Sequence, residues 1–157
     1  MKKHPVPTIL ISIALAEGVG LLSGFFSGDI GAVYKTLNRP PLSPPGWVFP
    51  VAWVILYALM GIAAGVIYLH RGNDRLREQA LIYYLVQLAV NFSWSIIFFR
   101  FRAFWLAVVT VLTLIALVWF TYRTFSKLSP GAGWLLVPYL LWLVFAAYLT
   151  VGVFVLN

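Results

Sequence analysis

The sequence predicts an all-α integral membrane protein whose single domain, residues 1–157, is a bundle of five transmembrane helices. Hydrophobic residues make up 62% of the chain and charged residues 10%, whereas about a quarter of the residues in a soluble protein are charged. The mean hydropathy of +0.95 points the same way. Five apolar stretches have roughly the 20 residues that a helix needs to cross a bilayer, and they cover residues 6–26, 47–69, 80–99, 103–122 and 134–156.

The first predicted helix combines small residues with one acidic side chain. Ala16, Gly20 and Gly24 recur every four residues, a spacing that lets another membrane helix approach closely. Glu17 lies in the middle of this helix, where a carboxyl is expensive to place in hydrocarbon. We expect Glu17 either to hydrogen-bond to a neighbouring helix or to take part in a proton-linked step.

The connection between the first two helices, residues 27–46, is predicted to be a rigid lid. It runs into the segment NRPPLSPPGWVFPVAWVILY, residues 38–57, which holds five of the nine prolines. Proline fixes φ and disfavours helix in the residue before it, so this lid loop is stiff rather than slack. Trp47, Trp53 and Tyr57 then follow close to helical spacing, which predicts one broad wall of a ligand pocket.

Two basic residues of the lid loop, Lys35 and Arg39, precede the second helix. Basic side chains beside a helix N-terminus favour an anionic ligand group such as a carboxylate. The alternative is that Arg39 lies among lipid headgroups.

The third and fifth predicted helices each carry one informative face. On the third helix, polar and aromatic residues recur at spacings of three and four, which places them on one side. Amides in hydrocarbon need partners, so this face points into the bundle, either for interhelical hydrogen bonds or as a cavity wall. The fifth helix has a similar aromatic side with one small residue. The two sets are Gln87, Asn91, Trp94, Ser95 and Phe98, and Tyr139, Trp142, Phe145, Ala146 and Leu149.

These faces and the lid loop predict one pocket for a flat, largely apolar ligand. The chain has seven Trp, eight Tyr and twelve Phe, and apolar walls with a few polar groups are typical of small-molecule sites. Propionate groups on such a ligand would meet Arg39 or Lys35 through charge-assisted hydrogen bonds. The predicted lining is Tyr34, Trp47, Trp53, Tyr57, Gln87, Asn91, Trp142 and Ala146, with Trp94 and Phe145 on the same helix faces.

Several other kinds of chemistry are excluded by residue types. The chain has no cysteine, which removes disulfides and thiolates. His4 and His70 lie outside the predicted helices, so we expect no metal or haem-iron site in the bundle. Hydrolase and nucleotide-binding motifs are missing from the sequence. The net charge of +7 comes from basic residues at helix ends. These residues form no stripe with base-stacking aromatic side chains, so we expect no nucleic-acid partner.

The distribution of Lys and Arg predicts the orientation in the membrane. If the N-terminus is cytoplasmic, seven basic residues lie inside and four outside, as the positive-inside rule requires. The lid loop then faces outward. Lys2 and Lys3 precede an apolar run that is longer than the roughly 7 to 15 residues of a signal-peptide core, so we predict a first spanning helix there.

Three segments resemble the tryptophan-rich sensory protein / translocator protein family, also called peripheral benzodiazepine receptors. They are RPPLSPPGWVFPVAWVILYALMG (39–61), QLAVNFSWSIIFF (87–99) and PYLLWLVFAAYLT (138–150). The resemblance implies a five-helix bundle, commonly a homodimer, that binds porphyrins such as protoporphyrin IX and isoquinoline-type ligands under the first loop, with no required cofactor. The family's ligand positions correspond to Tyr34, Trp47, Trp53, Asn91, Trp142 and Ala146.

The end of the chain departs from animal members of that family. They carry a cholesterol-recognition segment, whereas this chain ends in LTVGVFVLN, with Thr150 and Phe154 at positions where the family often has Asn and Trp. A bacterial plasma membrane therefore fits this C-terminal segment better than a sterol-containing animal membrane.

The leading functional hypothesis is a porphyrin receptor or carrier with a role in tetrapyrrole or stress regulation. A second is light- and oxygen-dependent porphyrin degradation, with Trp53 and Trp142 flanking the macrocycle. A third is a small-molecule transporter or a scaffold for partner proteins.

Overall fold

The computed structural model describes residues 4–157 and confirms the all-α membrane bundle. Five of its helices are long and apolar enough to cross a membrane, and the part of the chain described contains no strand. A π-helical turn, Ile96–Arg100, continues the fourth helix without a break. The helices are α1 Pro5–Phe26, α2 Ile30–Thr36, α3 Val48–Leu69, α4 Asp74–Ser95, α5 Phe104–Leu128 and α6 Pro130–Leu156.

Three helices extend further than their apolar stretches predict. α4 begins at residue 74 rather than 80, α5 ends at 128 rather than 122, and α6 begins at 130 rather than 134. Side-chain caps fix two of these ends, because Asn73 accepts from the Leu76 amide and Ser129 accepts from the Ala132 amide. Hydropathy detects only the part of a helix that suits hydrocarbon, so polar helical turns beyond it are missed.

The short helix α2 lies inside the lid loop, where the sequence analysis predicts none. Asp29 caps it, because its carboxylate accepts a hydrogen bond of 3.1 Å from the Ala32 amide. Tyr34 and Leu37 are buried beneath it with Phe98 and Phe99. The lid loop is therefore a helix followed by an irregular, proline-rich segment, and α2 carries Tyr34 into the bundle.

The five spanning helices form a closed ring in the order α1, α3, α6, α5, α4, with α4 packed back on α1. Glycines on α3 allow the closest approach in this ring. A Cβ added at Gly61 would lie 2.5 Å from the Cα of Ile13, and one added at Gly65 would lie 3.1 Å from the Cα of Ile9. Gly61 and Gly65, four residues apart on α3, therefore let α1 pack closely against this helix.

Polar contacts fasten the lid loop to the end of α6. The Tyr148 hydroxyl donates to the Pro41 carbonyl at 2.6 Å. Asn38 and Asn157 exchange two hydrogen bonds, of 3.2 and 2.8 Å. A side chain at Gly152 would collide with the ring of Pro40, so glycine there lets the loop lie directly on the helix. The lid loop is held in place over one end of the bundle.

Candidate functional site

A cavity of about 540 Å³ lies between α1, α2, α3 and α4, beneath the lid loop. α3 supplies most of its aromatic wall through Phe49, Trp53 and Tyr57, and α4 adds Trp94. α1 contributes the small residues Gly20 and Gly24 and the carboxyl of Glu17 on the facing side, and Tyr34 and Gly46 close the end under the lid. Large rings on one side and glycines on the other leave a space with few polar groups.

A chain of buried hydrogen bonds ties three helices together beside this cavity. The Tyr57 hydroxyl on α3 donates to Asn91 Oδ1 on α4 at 2.6 Å. Asn91 Nδ2 donates to the Tyr139 hydroxyl on α6 at 2.6 Å. That hydroxyl donates in turn to Gln87 Oε1 at 2.8 Å. We call these four residues the polar chain; each is less than 7% exposed.

The polar chain resolves the two uses that the sequence left open for the amides of the third predicted helix. Gln87 lies in the interhelical network and is absent from the cavity lining, so it acts as an interhelical tie. Asn91 belongs to both, because it lines the cavity while its amide oxygen and nitrogen are each bonded to a tyrosine. Since hydrocarbon offers no competing partners, such pairs fix how neighbouring helices are rotated.

Trp142 and Ala146 line a separate, smaller cavity of about 20 Å³ on the α6 side. A partition of aromatic rings divides the two spaces. Phe49 lies edge-on to Tyr34 at 5.0 Å and to Trp142 at 5.9 Å between ring centroids. Trp53 meets Trp142 edge-on at 6.3 Å. The expectation of one undivided pocket is therefore corrected: α6 packs on α3 away from α1, and these rings fill the space between.

Three other predicted lining residues lie outside the large cavity. Trp47 is 68% exposed, just before α3 begins; a separation of six residues turns it well away from Trp53 on a helix. Phe145 lies in an open groove on the outer surface between α3 and α6. Arg39 lines the smaller cavity and places its guanidinium 4.3 Å from the centre of the Tyr34 ring.

Sequence patterns do not reveal the contribution of α1 and of Phe49 to the cavity. The four-residue spacing of glycines was read as helix packing alone, and Gly20 does pack against the Tyr57 ring, but Gly24 faces open space at the cavity. Phe49 gave no sequence signal, because it lies among many apolar residues. Within residues 4–157, no cluster of three or more His, Cys, Asp or Glu side chains could hold a metal ion.

Five spanning helices, with a partly open aromatic cavity between three of them and the lid loop, define a polytopic membrane protein with space for a small molecule. The TspO/MBR family model matches residues 12–156. The chain belongs to the TspO/MBR family.

Relatives from distant organisms align along most of the chain. The tryptophan-rich protein TspO of Chlorobaculum tepidum is 31% identical over 151 residues, 96% of each chain. The tryptophan-rich sensory protein of Cereibacter sphaeroides is 39% identical over 124 residues, 79% of this chain and 76% of the relative. The translocator protein of Homo sapiens is 33% identical over 147 residues, 92% of this chain and 86% of the relative.

The polar chain predicts a specific loss of stability. Tyr139→Phe removes the hydroxyl that joins Asn91 to Gln87 and leaves Asn91 Nδ2 and Gln87 Oε1 buried without a partner. We expect the free energy of unfolding to fall by about 1 to 2 kcal/mol, measured by dodecyl sulfate titration in mixed micelles. Tyr122→Phe on α5 is the matched control, because the Tyr122 hydroxyl has no hydrogen-bond partner among residues 4–157. Equal losses in the two variants would contradict this role.

Proposed function

We propose that the protein is a membrane receptor or carrier that binds a porphyrin in the large cavity and acts in tetrapyrrole or stress regulation. The observation that carries the proposal is the cavity itself, a partly open space of about 540 Å³ between α1, α2, α3 and α4 with walls of Trp, Tyr and Phe rings. That volume lies within the range of about 300 to 1,000 Å³ typical of small-molecule sites. Offset and edge-on contacts to such rings stabilise a flat aromatic ligand beyond simple area burial.

The surroundings of the cavity also suit a ligand with an anionic edge. Tyr34 lines both cavities. Arg39 lines the smaller cavity, with its guanidinium over the Tyr34 ring. Lys35 is exposed on α2. A porphyrin whose macrocycle fills the apolar space would bring propionate groups toward the Tyr34 end of the cavity, where Lys35 would form charge-assisted hydrogen bonds. Arg39, on the other side of the Tyr34 ring, would reach them only after that ring moves aside.

The cellular setting is part of the same proposal. The excess of basic residues supports a cytoplasmic N-terminus with the lid loop outside, and the bacterial relatives support a bacterial plasma membrane. The words "sensory" and "translocator" in the names of relatives favour a receptor or carrier. We expect the working form to be a homodimer, as the family resemblance implies.

A pair of glycines on α1 gives a sharp test of porphyrin binding. A Cβ at Gly24 meets no atom within 4 Å, and Gly24 lines the cavity. Gly24→Leu therefore fills the cavity without a clash in the bundle. We expect the affinity for protoporphyrin IX, measured by quenching of tryptophan fluorescence in lipid nanodiscs, to fall at least about tenfold, which is about 1.4 kcal/mol.

Gly18→Leu is the matched control on the same helix. Gly18 also has open space around an added Cβ, but it is outside the cavity lining. Its variant keeps the parent affinity if the porphyrin occupies the cavity. Unchanged binding in Gly24→Leu, or equal losses in the two variants, would contradict the proposal.

Porphyrin degradation is a second candidate, favoured by the position of Trp53. This indole lines the large cavity, and its ring meets Trp142 edge-on. A bound, light-excited macrocycle would therefore contact Trp53 directly, with Trp142 on the other side of the Trp53 ring. We expect illuminated, oxygenated samples to lose protoporphyrin absorbance more slowly in Trp53→Phe than in the parent. The exposed Trp134 provides the control variant Trp134→Phe. Product formation that survives both Trp53→Phe and Trp142→Phe would eliminate the proposed chemistry at these two tryptophans.

A further inference from the structure

Among the side chains that line the large cavity, Glu17 is the one that carries an ionisable carboxyl. It lies near the middle of α1, at hydrocarbon depth, where ionisable groups are expensive and usually face a polar partner or a functional space. Its neighbour one turn on, Gly20, is in contact with the Tyr57 ring, where any Cβ would overlap. That contact seats α1 against α3 and keeps Glu17 at the cavity.

The protein supplies no partner for this carboxyl. Glu17 Oε1 is buried without a hydrogen bond to any of residues 4–157. The other polar groups around the cavity are largely satisfied within the protein: Tyr57 donates to Asn91, and the Ser23 hydroxyl donates to the Phe92 carbonyl at 2.9 Å. Because Glu17 lines the cavity and its carboxyl is unpaired within residues 4–157, the carboxyl is free to accept a hydrogen bond from a molecule in the cavity.

The second unpaired group at the cavity is a donor. Trp94 Nε1 is buried with no acceptor within the described chain, and an indole N–H cannot pair with a cation. Glu17 is thus the cavity group suited to a positively charged nitrogen. The faces of Trp53 and Tyr57 nearby add to this preference, because aromatic rings attract cations in a desolvated site.

We infer that Glu17 anchors a second class of ligand, in which a protonated amine is attached to a flat aromatic body. The ammonium group donates to the Glu17 carboxyl, and the aromatic part lies against the rings of α3. This inference goes beyond porphyrin binding, since it names a different charge on the ligand and a residue that the porphyrin proposal does not use. No covalent step is involved.

The test uses two pyrene probes that differ only in the polar group, 1-pyrenemethylamine and 1-methylpyrene. Binding is measured by energy transfer from protein tryptophans in phosphatidylcholine nanodiscs, with partition into protein-free nanodiscs subtracted. We expect the amine to bind at least about tenfold more tightly to the parent protein, as a charge-assisted hydrogen bond predicts. Equal affinities in the parent overturn the inference without reference to any variant.

Two variants then assign the preference to Glu17. Glu17→Gln keeps the shape and an acceptor oxygen but removes the charge, and we expect the amine preference to fall below about twofold while 1-methylpyrene still binds. Glu78→Gln, at an exposed site on α4, removes the same charge elsewhere and leaves the preference intact. An amine preference that persists in Glu17→Gln overturns the inference.

A chemical experiment on the unaltered chain covers the case in which Glu17→Gln does not fold. Dicyclohexylcarbodiimide reacts with carboxyls in apolar surroundings, and mass spectrometry locates the adduct. We expect labelling at Glu17 that 1-pyrenemethylamine suppresses far more than 1-methylpyrene at equal occupancy. Equal protection by the two probes, or no labelling of Glu17 in their absence, contradicts an anchoring carboxyl open to the cavity. Porphyrin binding is measured separately, by quenching of tryptophan fluorescence, so its failure is distinguishable from failure of the amine site.

Discussion

The structure depends on the polar chain that runs from Tyr57 through Asn91 and Tyr139 to Gln87. In hydrocarbon these side chains have no solvent to bond with, so their mutual bonds select one rotation of α3, α4 and α6 about their axes. That rotation places Trp53 at the large cavity, with its ring against Tyr139 and Trp142 of α6. The same bonds that hold the helices together therefore also determine which rings become cavity wall.

α1 takes no part in the polar chain and is the least buried of the spanning helices. It is held by Gly61 and Gly65 on α3, which let its backbone approach closely at one end, and by the hydrogen bond from Ser23 to the Phe92 carbonyl on α4. Nearer the lid loop, Gly20 packs against the Tyr57 ring, and Gly24 leaves space that a larger residue would fill. The large cavity remains open because the aromatic wall of α3 faces α1, which has little side-chain volume there.

The sequence predicted the features that depend on composition and period. Five spans follow from hydropathy, and the inward face of α4 follows from the spacing of Gln87 and Asn91, both buried as expected. Helix α2 was missed because its signal is one Asp29 cap among prolines and glycines. The division of the pocket was also missed, because it depends on where the Phe49 ring points, and that orientation is set by neighbours from two other elements, Tyr34 on α2 and Trp142 on α6.

The most direct measurement is a structure of the protein in lipid with protoporphyrin IX bound. The macrocycle is predicted to lie between α1 and α3, against Trp53 and beside Gly24, with the bonds of the polar chain unbroken. Density for the macrocycle in the outer groove beside Phe145, with the internal cavity collapsed by side chains, would contradict the account.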